Sequence, residues 1–278
     1  MKFPTVRKIL TSLVKLAAGL FVLIYLLGIY FNLKPLGPVD DASIDTSAIG
    51  TIAIFGASGT AGDGILKAAL ADPDVERIHV ITRRSTPRID AGVASGKVLV
   101  TQHMDYLDYS ALQEILADVS TVYWAIGISA LGVDEATYGR IHVDFPAQFL
   151  REWLSVSTGD ALSFQFISSS DISEDSDTMW VREKIRAEKT LFGLAEDTRL
   201  RVIAHRPDYI RPADGEAKFG QKLMYWFFRP VGAAVRSTEI GQAMLEVTVR
   251  GDQFENGAKL GTRSIRRLAS AYSERSGT

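Results

Sequence analysis

Two hydrophobic rhythms divide the chain. From Leu16 to Leu33 apolar and aromatic residues follow one another with no charge, interrupted by Gly19, Gly28 and Asn32. A helix rising about 1.5 Å per residue makes this run nearly as long as the ~30 Å hydrocarbon core of a bilayer. After it the pattern changes to short, β-branched apolar runs separated by longer stretches of helical period. The runs at 51–55, 77–82, 97–102, 121–126, 162–168 and 200–205 predict strands. The stretches at 63–71, 109–117, 134–154, 178–194 and 239–249 predict helices, with Pro146 marking a kink or an entry turn in the third. Strands separated by helices imply an α/β fold: a Rossmann-type, doubly wound parallel sheet.

The apolar run predicts an N-terminal membrane anchor over 1–34, a linker over 35–46 and a globular domain over 47–278. Lys2, Arg7, Lys8 and Lys15 precede the run, and Tyr25, Tyr30 and Phe31 lie towards its far end, where aromatic rings suit the interface. A cleaved signal peptide is the alternative, but the run is long for one and no A-x-A-like site follows it. The expected localisation is therefore a membrane, through one retained helix. The positive-inside rule places the basic N-terminus in the cytoplasm and the domain opposite. A monotopic insertion is the alternative that keeps the domain on the cytoplasmic side.

The first strand carries the most informative motif. Thr51–Phe55 runs into Gly56-Ala-Ser-Gly-Thr-Ala-Gly62, and a helical pattern follows at once. This is the opening of a dinucleotide-binding βαβ unit. Gly56 permits a sharp turn, Gly59 leaves the backbone open to a pyrophosphate, and Gly62 lets the helix lie close to the sheet. Ser58, Thr60 and Ala61 complete the loop, whose free N–H groups face the phosphates. The second strand ends in Thr82-Arg83-Arg84 with no acid, and paired guanidiniums suit a ribose 2′-phosphate. NADP(H) is thus the expected cofactor, with NAD(H) as the other possibility. Asp105 and Tyr106 follow the third strand, where Asp105 is placed to accept from an adenine amino group. Ala125, Ile126 and Gly127 close the fourth strand where the cofactor crosses the sheet edge.

Composition narrows the field. The 278 residues carry a net charge of −2 and no cysteine, which excludes disulfides and thiolate chemistry and gives no global field for nucleic acid. His79, His103, His142 and His205 show no metal-ligand spacing and read as core or surface histidines. Beyond Arg206 the pattern loosens at Pro207, Pro212 and Gly215. Residues 218–235 are then crowded with Leu223, Met224, Tyr225, Trp226, Phe227 and Phe228. This segment predicts a small C-terminal cap over a substrate cleft, with a simple packed helix or a second membrane contact as alternatives. The last residues, around Arg263, Arg266 and Arg267, read as a polar, frayed tail.

The glycine loop, Arg83-Arg84, Phe166-Ile-Ser-Ser-Ser170, Trp180-Val-Arg-Glu-Lys184 and Arg206-Pro-Asp-Tyr-Ile-Arg-Pro212 occur in one order and spacing. Together they resemble the atypical short-chain dehydrogenases/reductases, in the NAD(P)H-binding, epimerase/dehydratase-like branch related to the human Tat-interacting protein. The resemblance covers roughly 51–250 and leaves the anchor outside. It implies that Lys184 binds the nicotinamide ribose and that Ser169, with Ser168 or Ser170 beside it, orients a substrate oxygen. It also places Arg206 and Pro207 near the cofactor. The family's proton-donating tyrosine falls on Trp180, whose indole N–H has no acid–base use near neutral pH. A bacterial branch of the family carries a similar Met-Trp-x-x-x-Lys run. Tyr209, Asp208 and Tyr138 are the candidate substitutes as acid, while Glu183 faces about 100° round the helix from Lys184. The implied function is NAD(P)H-dependent hydride transfer to or from a small hydrophobic carbonyl or alcohol. The alternatives are a membrane-tethered scaffold or redox sensor that binds NADPH without turnover and, more weakly, an epimerase or dehydratase.

Overall fold

The computed structural model describes residues 6–37, 39, 43–213 and 216–277. Lys2, Pro38, Asp40, Asp41 and Gly215, and the side chains of Arg7 and Lys8, lie outside the described residues. The apolar run forms one helix, α1 (Val6–Leu33), whose segment Leu10–Leu33 is long and apolar enough to cross a membrane. A short 3₁₀ turn (Thr46–Ile49) then leads into the domain, where the Asp45 carboxylate accepts from the Ser47 amide and the Asp45 N–H donates to the Val249 carbonyl.

The central sheet is built from β1 (Thr51–Phe55), β2 (Arg77–Thr82), β3 (Val98–Gln102), β4 (Thr121–Trp124), β5 (Leu162–Ile167), β6 (Leu200–Arg206) and β9 (Lys259–Gly261), all parallel in the order β3-β2-β1-β4-β5-β6-β9. Strand side chains alternate between faces, and the sequence uses both. Ile52, Ile54, Ile78, Val80 and Tyr123 point to one apolar layer, whereas Ala53, Phe55, Ile81, Val122 and Trp124 point to the other. The first layer is completed by α2 (Thr60–Ala71), α9 (Ser237–Val249) and α10 (Thr262–Ser276). On the opposite face lie α4 (Gln113–Ala117), α6 (Phe145–Val156) and α7 (Met179–Ala195), with Phe149, Trp153 and Leu191 fully buried. Two covered faces explain why these strands read as continuous apolar runs.

The long third helix expected over 134–154 is divided. It consists of α5 (Glu135–Gly139), a π-helical turn (Arg140–Asp144) and α6, with Pro146 in the first turn of α6 where a missing N–H costs nothing. Several elements were not expected from the sequence. They are α3 (Pro87–Ala94), β7 (Tyr209–Arg211) paired with β8 (Ala234–Arg236), the edge strand β9, and α10 in place of a frayed tail. The α10 helix buries Ile265, Leu268, Ala269 and Tyr272, one stripe at helical spacing. Its Arg275 bonds Glu246 at 2.9 Å and lies near Asp72 and Asp74, which ties the C-terminus to α9 and to the end of α2.

α2 and α9 cross at two glycines. A Cβ on Gly241 would come within 2.7 Å of the Ile65 Cα, and one on Gly64 would overlap the Ser237 backbone. Gly64→Ala therefore forces the helices apart, with an expected loss of about 2 kcal/mol in denaturant unfolding of the detergent-solubilised chain. An unchanged midpoint contradicts this packing.

Candidate functional site

In the order β3-β2-β1-β4-β5-β6-β9 the connections run outward in one direction from β1 and in the other from β4, so a crevice opens at their carboxyl ends. Backbone contacts build it. Gly56 has φ +81°, and a Cβ there would strike the Ala125 carbonyl group at 2.7 Å. A Cβ on Gly62 would overlap the Gly56 carbonyl oxygen, so only glycine allows the first turn of α2 to lie on the strand end. Gly59 differs from both. Its Cβ would meet the Gly56 oxygen at an ordinary 3.5 Å, so packing does not require glycine there and the space beyond it is open. Gly59 also caps α2 without a side-chain bond, leaving the amides of Thr60, Ala61 and Gly62 directed outward from the helix start. The chemistry of this cradle fits a diphosphate.

The cleft in front of it has a volume of about 230 Å³ and gathers most of the expected residues: Gly56, Ser58, Gly59, Arg83, Arg84 and Tyr106 line it, as do Ala125, Ile126 and Gly127 at the end of β4. Thr82, Ile128, Ile141 and Phe145 also line it and were not expected. The Thr82 hydroxyl donates to the Arg84 carbonyl at 2.9 Å, which fixes the turn carrying both arginines. Both guanidiniums are exposed, and among the described residues neither makes an ion pair with a carboxylate. The Tyr106 ring stacks on Phe145 and edges against His103, forming an aromatic wall.

A second cavity of about 580 Å³ adjoins the cleft, with Ile128 lining both. Its walls are apolar (Ile128, Ala130, Leu131, Met179), and Tyr138, Ser168, Ser169, Trp180 and Lys184 are its functional side chains. Trp180 and Lys184 are one helical turn apart on α7 and share a face. Lys184 is buried and its ammonium donates to the Ile167 carbonyl at 3.1 Å; burial pushes its pKa down to about 8, partly opposed by Glu188. Ser168 donates to Glu188 at 2.6 Å, which leaves Ser169 as the serine without such a tie. Burial and the Glu183 charge raise the Tyr138 phenol to about 12. His142, from the π-helical turn, packs on Tyr138 with ring centroids 4.2 Å apart and meets the Ile128 backbone through Nε2. Burial and the neighbouring Lys184 hold it neutral, with a pKa of about 3. Glu183 turns away from the cavity, accepting from Arg186 at 3.0 Å.

No family model matches the sequence. Protein fmp52, mitochondrial, from Emericella nidulans is 27% identical over 175 residues, covering 60% of this chain and 73% of that protein. Leucinostatins biosynthesis cluster protein T from Purpureocillium lilacinum is 26% identical over 153 residues, 54% of each chain. Among solved structures, the NADPH-dependent 3-quinuclidinone reductase from Rhodotorula rubra superposes with a TM-score of 0.61 at 14% identity, over 82% of this chain and 96% of its own. The UDP-glucuronic acid 4-epimerase from Bacillus cereus, solved with NAD, gives 0.58 at 14% identity, over 76% and 77%. The fold is that of the short-chain dehydrogenases/reductases.

Within this fold some expected site residues lie elsewhere. Asp105 is exposed and its carboxylate accepts from the Leu107 amide in its own turn, outside the cleft lining. Arg206 forms a two-pronged ion pair with Glu188, and Pro207 is buried beside it; neither lines either of the two cavities. Tyr209 is no replacement acid where it stands. Its hydroxyl donates to the Gln221 carbonyl at 3.3 Å and its ring faces Phe228, away from both cavities. Asp208 bonds Ser170 and is likewise absent from the cavity lining. The segment expected as a substrate cap forms α8 (Phe219–Phe228), which contributes no lining residue to either cavity. His142 gave no sequence signal beyond its type, because its position depends on the π-helical turn.

The second and third glycines of the loop should respond differently. Gly62→Ala is expected to cost about 2 kcal/mol or more in unfolding free energy through the backbone overlap. Gly59→Ala should change stability by about 0.5 kcal/mol or less. Equal losses in a denaturant titration would contradict an open space at Gly59.

Proposed function

We propose that this chain binds NADP(H) and transfers hydride between it and a carbonyl or alcohol group on a small apolar substrate, while α1 anchors it in a membrane. The observation that carries the reading is the adjacency, across Ile128, of a glycine-lined cleft and an apolar cavity holding a buried lysine and a serine. Arg83 and Arg84, exposed at the cleft edge, favour a 2′-phosphate over a bare ribose. The relatives solved with NADPH or NAD support a nicotinamide cofactor. Such a cofactor supplies or accepts the hydride when bound.

The protein's part is to position and to move a proton. Ser169 is the hydroxyl available to orient a substrate oxygen in the second cavity. Reduction then needs a proton at that oxygen, and Trp180 has none to give. Tyr138 and Lys184 are the titratable side chains lining the cavity among the described residues. A donor is most effective when its pKa lies near the working pH, which favours the Lys184 ammonium at about 8 over the Tyr138 phenol at about 12. Trp180 itself favours the second reading, an NADPH-binding sensor or scaffold without turnover.

Titrating the full chain with NADPH and NADH tests the cofactor directly. Replacing both Arg83 and Arg84 by Ala should weaken NADPH about 10-fold or more and leave NADH unchanged, since charge-assisted bonds contribute about 1.5–3 kcal/mol. Unchanged NADPH binding would remove the 2′-phosphate assignment. For turnover, NADPH oxidation with a panel of apolar aldehydes and ketones should fall about 100-fold or more in Lys184→Met. The protonated lysine is the active form in reduction, so the rate should fall as pH rises through about 8. A rate that stays level well above that pH points to Tyr138, and Tyr138→Phe should then abolish it. Absence of turnover in the native chain, with activity appearing in Trp180→Tyr, would establish the sensor reading.

A further inference from the structure

The α8 helix presents an apolar face that, among the described residues, is covered only at its Phe227 end. Phe219, Leu223, Met224, Trp226 and Phe227 are all exposed on one ten-residue helix, with Phe219 at 81% and Trp226 at 68%. Large apolar side chains grouped in this way mark an interaction surface. What covers it follows from its neighbour. Phe227 stacks on Phe21 of α1 at 6.3 Å and lies 5.3 Å from Tyr25, whose hydroxyl donates to the Phe227 carbonyl at 2.8 Å. Val231 packs on Gly28, where a Cβ would come within 3.0 Å of its Cγ1. The Asn32 amide donates to the Pro230 carbonyl at 2.9 Å. Positions 21, 25, 28 and 32 form one stripe, so the C-terminal half of α1 is held along α8 and the turn that follows it.

This contact constrains how α1 can be immersed. The helix above it, Leu10 to Leu20, is about 16 Å long, half the hydrocarbon thickness of a bilayer. The uncharged run from Leu16 to Leu33 therefore enters a membrane over its full length only if it takes the end of α8 with it. Charge at the base of α1 is arranged to match. Arg263, Arg266 and Arg267 share a stripe of α10 and donate to the Lys34 carbonyl, the Asn32 side chain and the Gly37 carbonyl at 2.6, 3.3 and 3.1 Å. Among the described residues none of the three makes an ion pair with a carboxylate, and the buried Arg267 Nε has no hydrogen-bond partner. With Lys34 and Arg229 they surround a cavity of about 380 Å³ at the foot of α1, where Glu239 is the acid and is paired to Arg229 at 2.7 Å.

We propose that α8 lies in the bilayer beside α1, its rings among the acyl chains and the α10 arginines against phospholipid phosphates. The domain is then seated in the membrane surface instead of tethered above it. The proposal rests on the membrane reading of α1, and its test keeps the two apart. The full chain is reconstituted in phosphatidylcholine vesicles, with and without phosphatidylglycerol, using lipids brominated along the acyl chain. Trp226 emission is isolated as the difference between the native chain and Trp226→Phe. The expected result is loss of most of that emission to the bromines and a blue shift relative to detergent-free buffer. Leu223→Asp with Phe227→Asp should restore the emission while the near-ultraviolet circular dichroism of the core stays native. Arg263→Gln with Arg267→Gln should abolish any added quenching from phosphatidylglycerol, and free inorganic phosphate should not.

A chain that resists alkaline extraction from the vesicles while Trp226 stays unquenched overturns the proposal and leaves the anchor intact. That outcome includes the case in which a second copy or another protein covers α8. A chain that alkali removes overturns both readings. Reversal of the phosphatidylglycerol effect by inorganic phosphate would show that the arginines take a free anion and would overturn the lipid assignment.

Discussion

Backbone against backbone, where β1 meets α2, is the contact on which the rest of the structure depends. Gly62 lies on the Gly56 carbonyl and Gly56 lies on the end of β4, with no side chain between them. Those two approaches fix the start of α2 relative to the sheet, and the sheet then places β2, β4 and β5 at set spacings from it. The crevice is a consequence: three strand ends, one helix start, and a gap where Gly59 meets nothing closer than ordinary contact. Opposite this gap the arginine turn is held by Thr82, and the apolar cavity opens past Ile128. Fold and candidate site are therefore one construction and not a site added to a scaffold.

The core beneath supports the same geometry. Gln165 bridges His205 at 2.8 Å and Thr248 at 2.8 Å, and Thr248 meets the Tyr123 hydroxyl at 2.9 Å, so a polar chain joins β4, β5, β6 and α9 under the sheet. Burial keeps His205 neutral, with a pKa of about 3, which suits its role as a donor to the Gln165 carbonyl. Near the second cavity, Glu188 serves several groups. It takes the Ser168 hydroxyl and Arg206, and its charge partly offsets the desolvation of Lys184. This buried carboxylate explains why Arg206 is unavailable to a cofactor and why Ser169 is the free serine.

Much of the fold was legible because its signals are local. β-branched runs marked the first six strands, and the glycine spacing marked the βα turn that the structure places at the cleft. Less legible elements had weak or long-range causes. α3 begins at Thr86-Pro87, an N-cap followed by proline in the first turn, a signal present but short. α10 looked like a tail because its mean hydropathy is low, although its Ile265, Leu268, Ala269 and Tyr272 stripe carries the helical period. β9 is three residues long and exists through pairing with β6, which no local pattern specifies. Within the site, Asp105 and Tyr209 were chosen by position after a strand and Arg206 by the family resemblance, and each is claimed by a nearer partner: the Leu107 amide, the Gln221 carbonyl and Glu188. α8 was expected over the substrate because it is apolar, but the face it covers belongs to α1.

The central claim is that a dinucleotide diphosphate rests on the bare amides where β1 passes into α2. Hydrogen–deuterium exchange on the full chain, with and without saturating NADPH, tests it most directly. The account predicts slowed exchange at Gly59–Gly62 and at the Thr82–Arg84 turn, with no change in α8. Exchange that is unaltered at the glycine loop while NADPH binds would contradict it.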